Sequence, residues 1–171
     1  YALFATLNIP TAKTKPANII LFIFVFSVLV TLRHLETQGE AGGSGGDIVY
    51  NKPYKDFRLQ LEWKISPGGN SGVFYGAIID TFPIWRSALE MQVLDNVKHP
   101  DALLGSDGNR MAGSLYDLIP AKPQNAKPVG EWNQVEILVY QGTVVHKMNG
   151  ETVLEYHLGT PDWDALIAGS K

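Results

Sequence analysis

The chain has 171 residues, 45% of them apolar, which is enough for one domain with a real core. Its net charge is −3 without a long basic run, which argues against nucleic acid as a partner, since phosphate binding needs clustered Lys and Arg. It contains no cysteine, so zinc-finger, thiol-nucleophile and disulfide readings fall together.

The chain opens on Tyr1 rather than Met, as a fragment or a processed protein would. Residues 19–32, "IILFIFVFSVLVTL", are nearly all apolar and follow Lys13 and Lys15. Spanning a bilayer takes roughly 20 such residues, so the run is short for a membrane helix. It better suits the apolar region of a secretory signal or an anchor, with membrane contact through 19–32 and export to the periplasm or cell envelope. A buried strand or helix is the alternative. "GEAGGSGG" over 39–46 then acts as a flexible separator, which divides the chain into a leader over 1–44 and a domain over 45–171.

Beyond the separator the pattern becomes β. Residues 57–65 alternate, with Phe57, Leu59, Leu61, Trp63 and Ile65 on one face and Arg58, Gln60, Glu62 and Lys64 on the other. A turn is expected at 67–70, and strands at 73–79, 88–94, 113–118 and 135–140. Asn149-Gly150 sits between two strand-like runs and predicts a type I′ hairpin. Thr160-Pro161-Asp162-Trp163 reads as an N-cap, a proline at the first helical position and an acidic first turn, opening a short helix through about Ile167. Many short strands with one small helix predict an all-β sandwich or jelly roll.

The candidate chemistry centres on "EMQVLDN". Strand parity puts Glu90 and Gln92 on one face, roughly 7 Å apart along the strand, with Leu89, Met91 and Val93 on the other. Asp95 lies just beyond, where a bulge or turn decides its side. On spacing alone, a strand with a solvated polar face explains these residues as well as an active site does. His99 is a loop acid, base or ligand candidate, and Arg86 beside Trp85 could hold a sugar. Asp107, Asn109 and Arg110 sit in a turn-rich loop that only partly resembles a calcium loop. Trp63, Trp132 and Trp163 read as packing residues, and His146 and His157 have no evident chemical partner.

The segments "GGDIVYNKPYKDFRLQLEWKISPGGNSGVFY", "WRSALEMQVLDN" with "HPD", "DGNRMAGSLYDLIPAKPQNAKPVGEWNQVEI" and "HKMNGETVLEY" resemble, in that order, the 3-keto-disaccharide hydrolase family, from about Gly45 to the end. The resemblance implies a concanavalin- or lectin-like jelly roll, incomplete here, with a short C-terminal helix. It also implies bacterial export and action on glycosides oxidised at carbon 3. Glu90, Asp95 and His99 then become the catalytic candidates. Asn70, Arg86, Gln92, Arg110 and Tyr116 become the substrate-binding ones, and a divalent metal is left open. Glu-x-Gln-x-x-Asp also resembles the Glu-x-Asp-x-x-Glu strand of laminarinase-type glycosidases, with Gln92 replacing the central acid. The family's opening "LFNG"-like strand and its "GLQDHG"-like motif find no match, so strands of the sandwich are expected to be missing. A non-catalytic lectin-like module is the alternative. The two differ in whether Glu90, Asp95 and His99 meet in one cleft with Arg86 or Arg110.

Overall fold

The computed structural model describes residues 2–8, 29–30, 54–78 and 84–169. The proposed separator at 39–46 and most of the apolar run 19–32 lie outside the described residues. Among those described, no helix is long and apolar enough to cross a membrane.

One sheet has six strands in the order β2-β1-β3-β6-β7-β8. These are β1 (Ala2–Asn8), β2 (Leu29–Val30), β3 (Phe57–Trp63), β6 (Asn133–Tyr140), β7 (Thr143–Met148) and β8 (Glu151–His157). The two-residue β1–β2 pairing is parallel and the rest are antiparallel. The smaller sheet pairs β4 (Asn70–Tyr75) with β5 (Leu89–Leu94). The one α-helix among the described residues, α1 (Pro161–Ala168), follows β8.

The alternation in β3 decides which face is buried. Phe57, Leu59, Leu61 and Trp63 are buried and pair with Val139, Ile137, Val135 and Asn133 of β6. They join Val73, Tyr75, Met91 and Val93 of the small sheet in one core, so the two sheets form a sandwich. Burying each large apolar side chain contributes on the order of 2 kcal/mol relative to leaving it exposed. On the outer face of β3, Arg58 and Gln60 both donate to the Glu136 carboxylate, at 2.7 Å each.

The Asn149-Gly150 turn has φ of 52° and 86°, the two left-handed residues a type I′ hairpin requires. Gln141-Gly142, at 48° and 84°, makes a second such turn between β6 and β7. Thr160 caps α1, its Oγ1 accepting from the Trp163 N–H at 3.2 Å, and Trp163 stacks on Tyr156.

Two predicted strands differ from the structure. The strand expected over 73–79 starts three residues earlier and ends at Tyr75, because Asn70 pairs with Leu94 and Gly76 turns the chain at φ 68°. The strand expected over 113–118 is not a regular strand. Gly113 and Tyr116 donate to the carbonyls of Gln92 and Glu90, but the chain then folds back. Leu115 and Ile119 bond each other while Asp117 adopts φ 59°.

Candidate active site

The loop over 95–119 folds back along β5, and between them opens a cleft of about 520 Å³. Its lining includes Asn70, Gly72, Trp85, Glu90, Gln92, Asp101, Tyr116 and Asp117. Glu90 and Gln92 arrive together because they share a face of β5, as the parity requires, while Met91 and Val93 point into the core.

Glu90 lies against Gly72 on the neighbouring strand. A Cβ built on Gly72 would come within 2.7 Å of Glu90 Cδ and 2.8 Å of its Cγ. Real Cβ atoms do not approach so closely, so glycine at 72 is what makes room for the carboxyl. Burial, and then the negative charge of Asp101, push the Glu90 carboxyl up from 4.5 to about 8.

Asp101 sits in the 3₁₀ turn Pro100–Leu103 and is 9% exposed. Its carboxylate accepts from Arg110 Nη1 at 3.0 Å and from the Tyr116 hydroxyl at 2.8 Å. Arg110 Nε donates to Asp117 at 2.8 Å, so one guanidinium ties two carboxylates together. Its charge also lies over the Tyr116 ring, 5.2 Å from the centroid. Burial and the bond to Asp101 push the Tyr116 hydroxyl up to about 12, so it stays a donor at neutral pH.

Of the residues singled out from sequence, Asn70, Glu90, Gln92 and Tyr116 line the cleft, and Arg110 anchors it. Gln92 is 1% exposed, its Oε1 accepting from the Val93 N–H. Asp95 is placed elsewhere: buried past the end of β5, it accepts from the N–H groups of Gly68, Val97 and Lys98 at 2.7, 3.0 and 3.2 Å. It is a turn cap whose oxygens already have donors, and it does not line the cleft. His99 caps the 3₁₀ turn, its Nδ1 accepting from the Asp101 N–H at 3.2 Å, so it orders Asp101 from outside the lining. Arg86 is exposed and lies over the ring of Trp85, 5.5 Å from its centroid. Trp85, 57% exposed, is the one of that pair at the cleft.

His146 does have partners, contrary to expectation: Tyr75 and Gly113, deep in the core. Asp101, within "HPD", is a cleft residue that the sequence reading does not single out. A His followed by Pro and an acid is nonetheless a helical-turn start, the signal that could have marked it.

Among the described residues, no group of three or more His, Cys, Asp or Glu side chains converges as a metal site. Glu90 and Asp101 alone fall short of the ligands a divalent cation takes.

These features define a carboxylate-lined cleft on a lectin-like β-sandwich. The chain belongs to the 3-keto-alpha-glucoside-1,2-lyase-like domain family, which matches residues 24–169. It is 56% identical over 144 residues to a 3-keto-disaccharide hydrolase of Bacteroides thetaiotaomicron, covering 78% of this chain and 50% of that protein. The chain thus spans about half the length of the curated relative it matches. Two solved structures from Parabacteroides distasonis, both assigned as glycosyl hydrolases, share the fold. One has a TM-score of 0.62 at 27% identity, covering 70% of this chain and 58% of its own. The other has a TM-score of 0.53 at 28% identity, covering 61% and 52%.

Proposed function

We propose that the cleft is the active site of an enzyme cleaving glycosides whose sugar carries a ketone at carbon 3. The observation that carries this reading is Glu90: a carboxyl pushed up to about 8, set in a cleft beside a second, fixed carboxylate. The name of the Bacteroides relative supports the same substrate class.

A ketone at carbon 3 acidifies the proton on carbon 2, and the glycosidic oxygen on carbon 1 is then β to the carbonyl. Ionised Glu90 takes the carbon 2 proton, and the electron pair of that bond becomes the enolate. The enolate collapses to a carbon 1–carbon 2 double bond, and the carbon 1–oxygen bond breaks. Protonated Glu90 returns its proton to the leaving oxygen, and water adding to the enone completes a net hydrolysis. One acid/base serves both transfers. Burial makes Glu90 a stronger base than an ordinary carboxylate, at the cost of being mostly protonated at pH 7. The enolate needs a donor, and the Tyr116 hydroxyl lines the cleft and stays protonated, while Arg110 holds Asp101 and Asp117 behind it. Asn70 and Gln92 offer amides to sugar hydroxyls, and Trp85 offers an aromatic face.

Asp95 and His99 do not meet Glu90 in the cleft, so the convergence expected of an enzyme from sequence is not the one found. The enzyme reading rests instead on Glu90, Asp101 and Tyr116 lining one cleft, with Arg110 bonded to Asp101 behind it. The test is turnover of a 3-keto-disaccharide across pH 5 to 9.5 by wild type and Glu90→Gln. The expected kcat/KM rises to a plateau above about pH 8 in wild type, set by the Glu90 carboxyl. In Glu90→Gln it falls by about 10²-fold or more. Equal turnover by the two proteins would remove Glu90 from the chemistry, and binding without turnover by either would favour the lectin-like reading.

A further inference from the structure

His146 lies on β7, 0% exposed, and yet it carries a titratable ring into the middle of the sandwich. Its Nδ1 is 3.1 Å from the Gly113 carbonyl oxygen and its Nε2 is 2.6 Å from the Tyr75 hydroxyl. That hydroxyl is in turn 2.6 Å from the hydroxyl of Tyr156 on β8. The direction of every bond follows from chemistry. A carbonyl oxygen only accepts, so Nδ1 carries the proton. Burial pushes the imidazole down to about 4, so the ring is neutral and Nε2 accepts from Tyr75. The Tyr75 oxygen therefore accepts from Tyr156. The small sheet, through Tyr75, and the large sheet, through Tyr156 and His146, join in one chain of hydrogen bonds that ends on Gly113.

Gly113 opens the segment that builds one wall of the cleft. Its N–H donates to the Gln92 carbonyl at 2.8 Å, the Ser114 carbonyl accepts from Gln92 N–H at 3.0 Å, and Tyr116 N–H donates to the Glu90 carbonyl at 2.9 Å. Leu115, Tyr116, Asp117 and Leu118 all line the cleft beside Glu90. At φ 84°, Gly113 occupies a left-handed conformation that places its carbonyl toward the core and leaves its amide on β5.

We propose that His146 is a positioning residue of the cleft: by holding the Gly113 carbonyl it fixes the 113–119 segment against β5 and thereby seals Tyr116 and Leu118 around Glu90. An ordinary core histidine would stabilise the sandwich without governing the surroundings of Glu90. This one touches no group that meets substrate, and acts through the backbone of the cleft wall.

Two substitutions separate these roles, because Asn places an amide nitrogen where Nδ1 stands and Gln places its amide where Nε2 stands. Both disturb the core, and only Asn retains the donor to Gly113. The readout is the titration midpoint of Glu90, followed by the ¹³C shift of its carboxyl in the full chain, with thermal unfolding recorded alongside. The groups that titrate or carry charge around Glu90, Asp101, Tyr116 and Asp117 in the cleft and Arg110 behind them, are unchanged in both variants. The wild-type midpoint is expected near 8 and that of His146→Asn close to it. His146→Gln should bind the proton on the order of tenfold more weakly, as water enters and lessens the burial that raises it. Equal midpoints in wild type and His146→Gln, or an equal fall in both variants, would overturn the proposal. So would a wild-type midpoint in the ordinary carboxylate range, since the wall would then not seal Glu90. Should neither histidine variant fold, Tyr75→Phe frees Nε2 and lets the ring turn. A fall in the Glu90 midpoint there supports the proposal and an unchanged one overturns it. The inference rests on reading this cleft as the active site, but the titration needs no substrate. Failure of turnover and failure of positioning are therefore seen separately.

Discussion

Replacing Glu90 with Gln should stabilise the protein, by an amount that grows as pH rises from about 4.5 to about 8. Below about pH 4 the wild-type carboxyl is protonated in both the folded and the unfolded state, so it and the amide are neutral, similar in volume and similar in stability. As pH rises past 4.5 the unfolded chain releases this proton, while the folded protein retains it until about 8. Over that interval the folded state binds more protons than the unfolded one, so its stability falls with rising pH. The displacement from 4.5 to about 8 corresponds to about 5 kcal/mol at full ionisation. That is a ceiling, because a cleft open to solvent admits water to the ionised carboxylate. Glu90→Gln lacks this titration, so its advantage should grow from near zero below about pH 4 to a plateau above pH 8. Other carboxylates cancel in the difference between the two proteins. Urea unfolding followed by fluorescence of the four tryptophans, at each pH from 5 to 9, measures it. A stability difference that is the same at pH 5 and pH 9, or one favouring wild type as pH rises, would refute the argument. The same substitution should abolish turnover, so the residue that costs most stability would be the one the chemistry needs.

Two further perturbations address the supports of the site. Gly72→Ala puts a methyl where the Glu90 carboxyl now rests, so the carboxyl must turn away; kcat for a 3-keto-disaccharide should fall by about 10²-fold, measured by product release. Unchanged kcat would mean that the position of the carboxyl is not critical. Asp95→Asn should leave turnover intact and cost about 1–3 kcal/mol of unfolding free energy at pH 7, because an amide cannot accept from all of Gly68, Val97 and Lys98. Burial alone would raise Asp95, but those backbone donors and the charge of Lys98 outweigh it and hold the carboxyl below its ordinary 3.8. Its contribution is therefore present above that value and lost as pH falls through the lowered one. The gap between wild type and Asp95→Asn should close in acid, as thermal unfolding at pH 2 to 7 would record.

The elements legible from sequence are those whose local chemistry and tertiary setting agree. β3 alternates because one face meets the core, and Asn149-Gly150 turns because both residues accept positive φ. The same holds for Thr160-Pro161 and for the shared face of Glu90 and Gln92. The misses arise where tertiary pairing overrides local preference. Asn70, Ser71 and Gly72 look like turn residues, yet β5 recruits them as a strand, and the glycine is there to make room for Glu90. Gln141 takes φ 48° in a tight turn although glutamine carries no turn signal. The 113–118 run has the composition of a strand. Its folding back is decided by Ile119 and Asp117, and its anchor, His146, lies 33 residues further on in the chain.

The second carboxylate shows why spacing alone misleads at such a site. Asp95 has the interval that a glycosidase strand would suggest, but it follows the last paired residue, where three free N–H groups need an acceptor. A carboxylate occupied in that way has little left for a substrate. The chain instead brings Asp101 back on a short turn, and Arg110 and Tyr116 both donate to it. Gln92 then acquires a physical reason. An acid at 92 would put a second carboxyl on the face of β5 that carries Glu90, close to the ionised Asp101 across the cleft. The cluster's guanidinium is already shared between Asp101 and Asp117. A further carboxylate would push Glu90 still higher, and at neutral pH the ionised form that abstracts a proton would become scarcer. A neutral amide there leaves Glu90 at about 8, close enough to neutrality for one carboxyl to take a proton and return it.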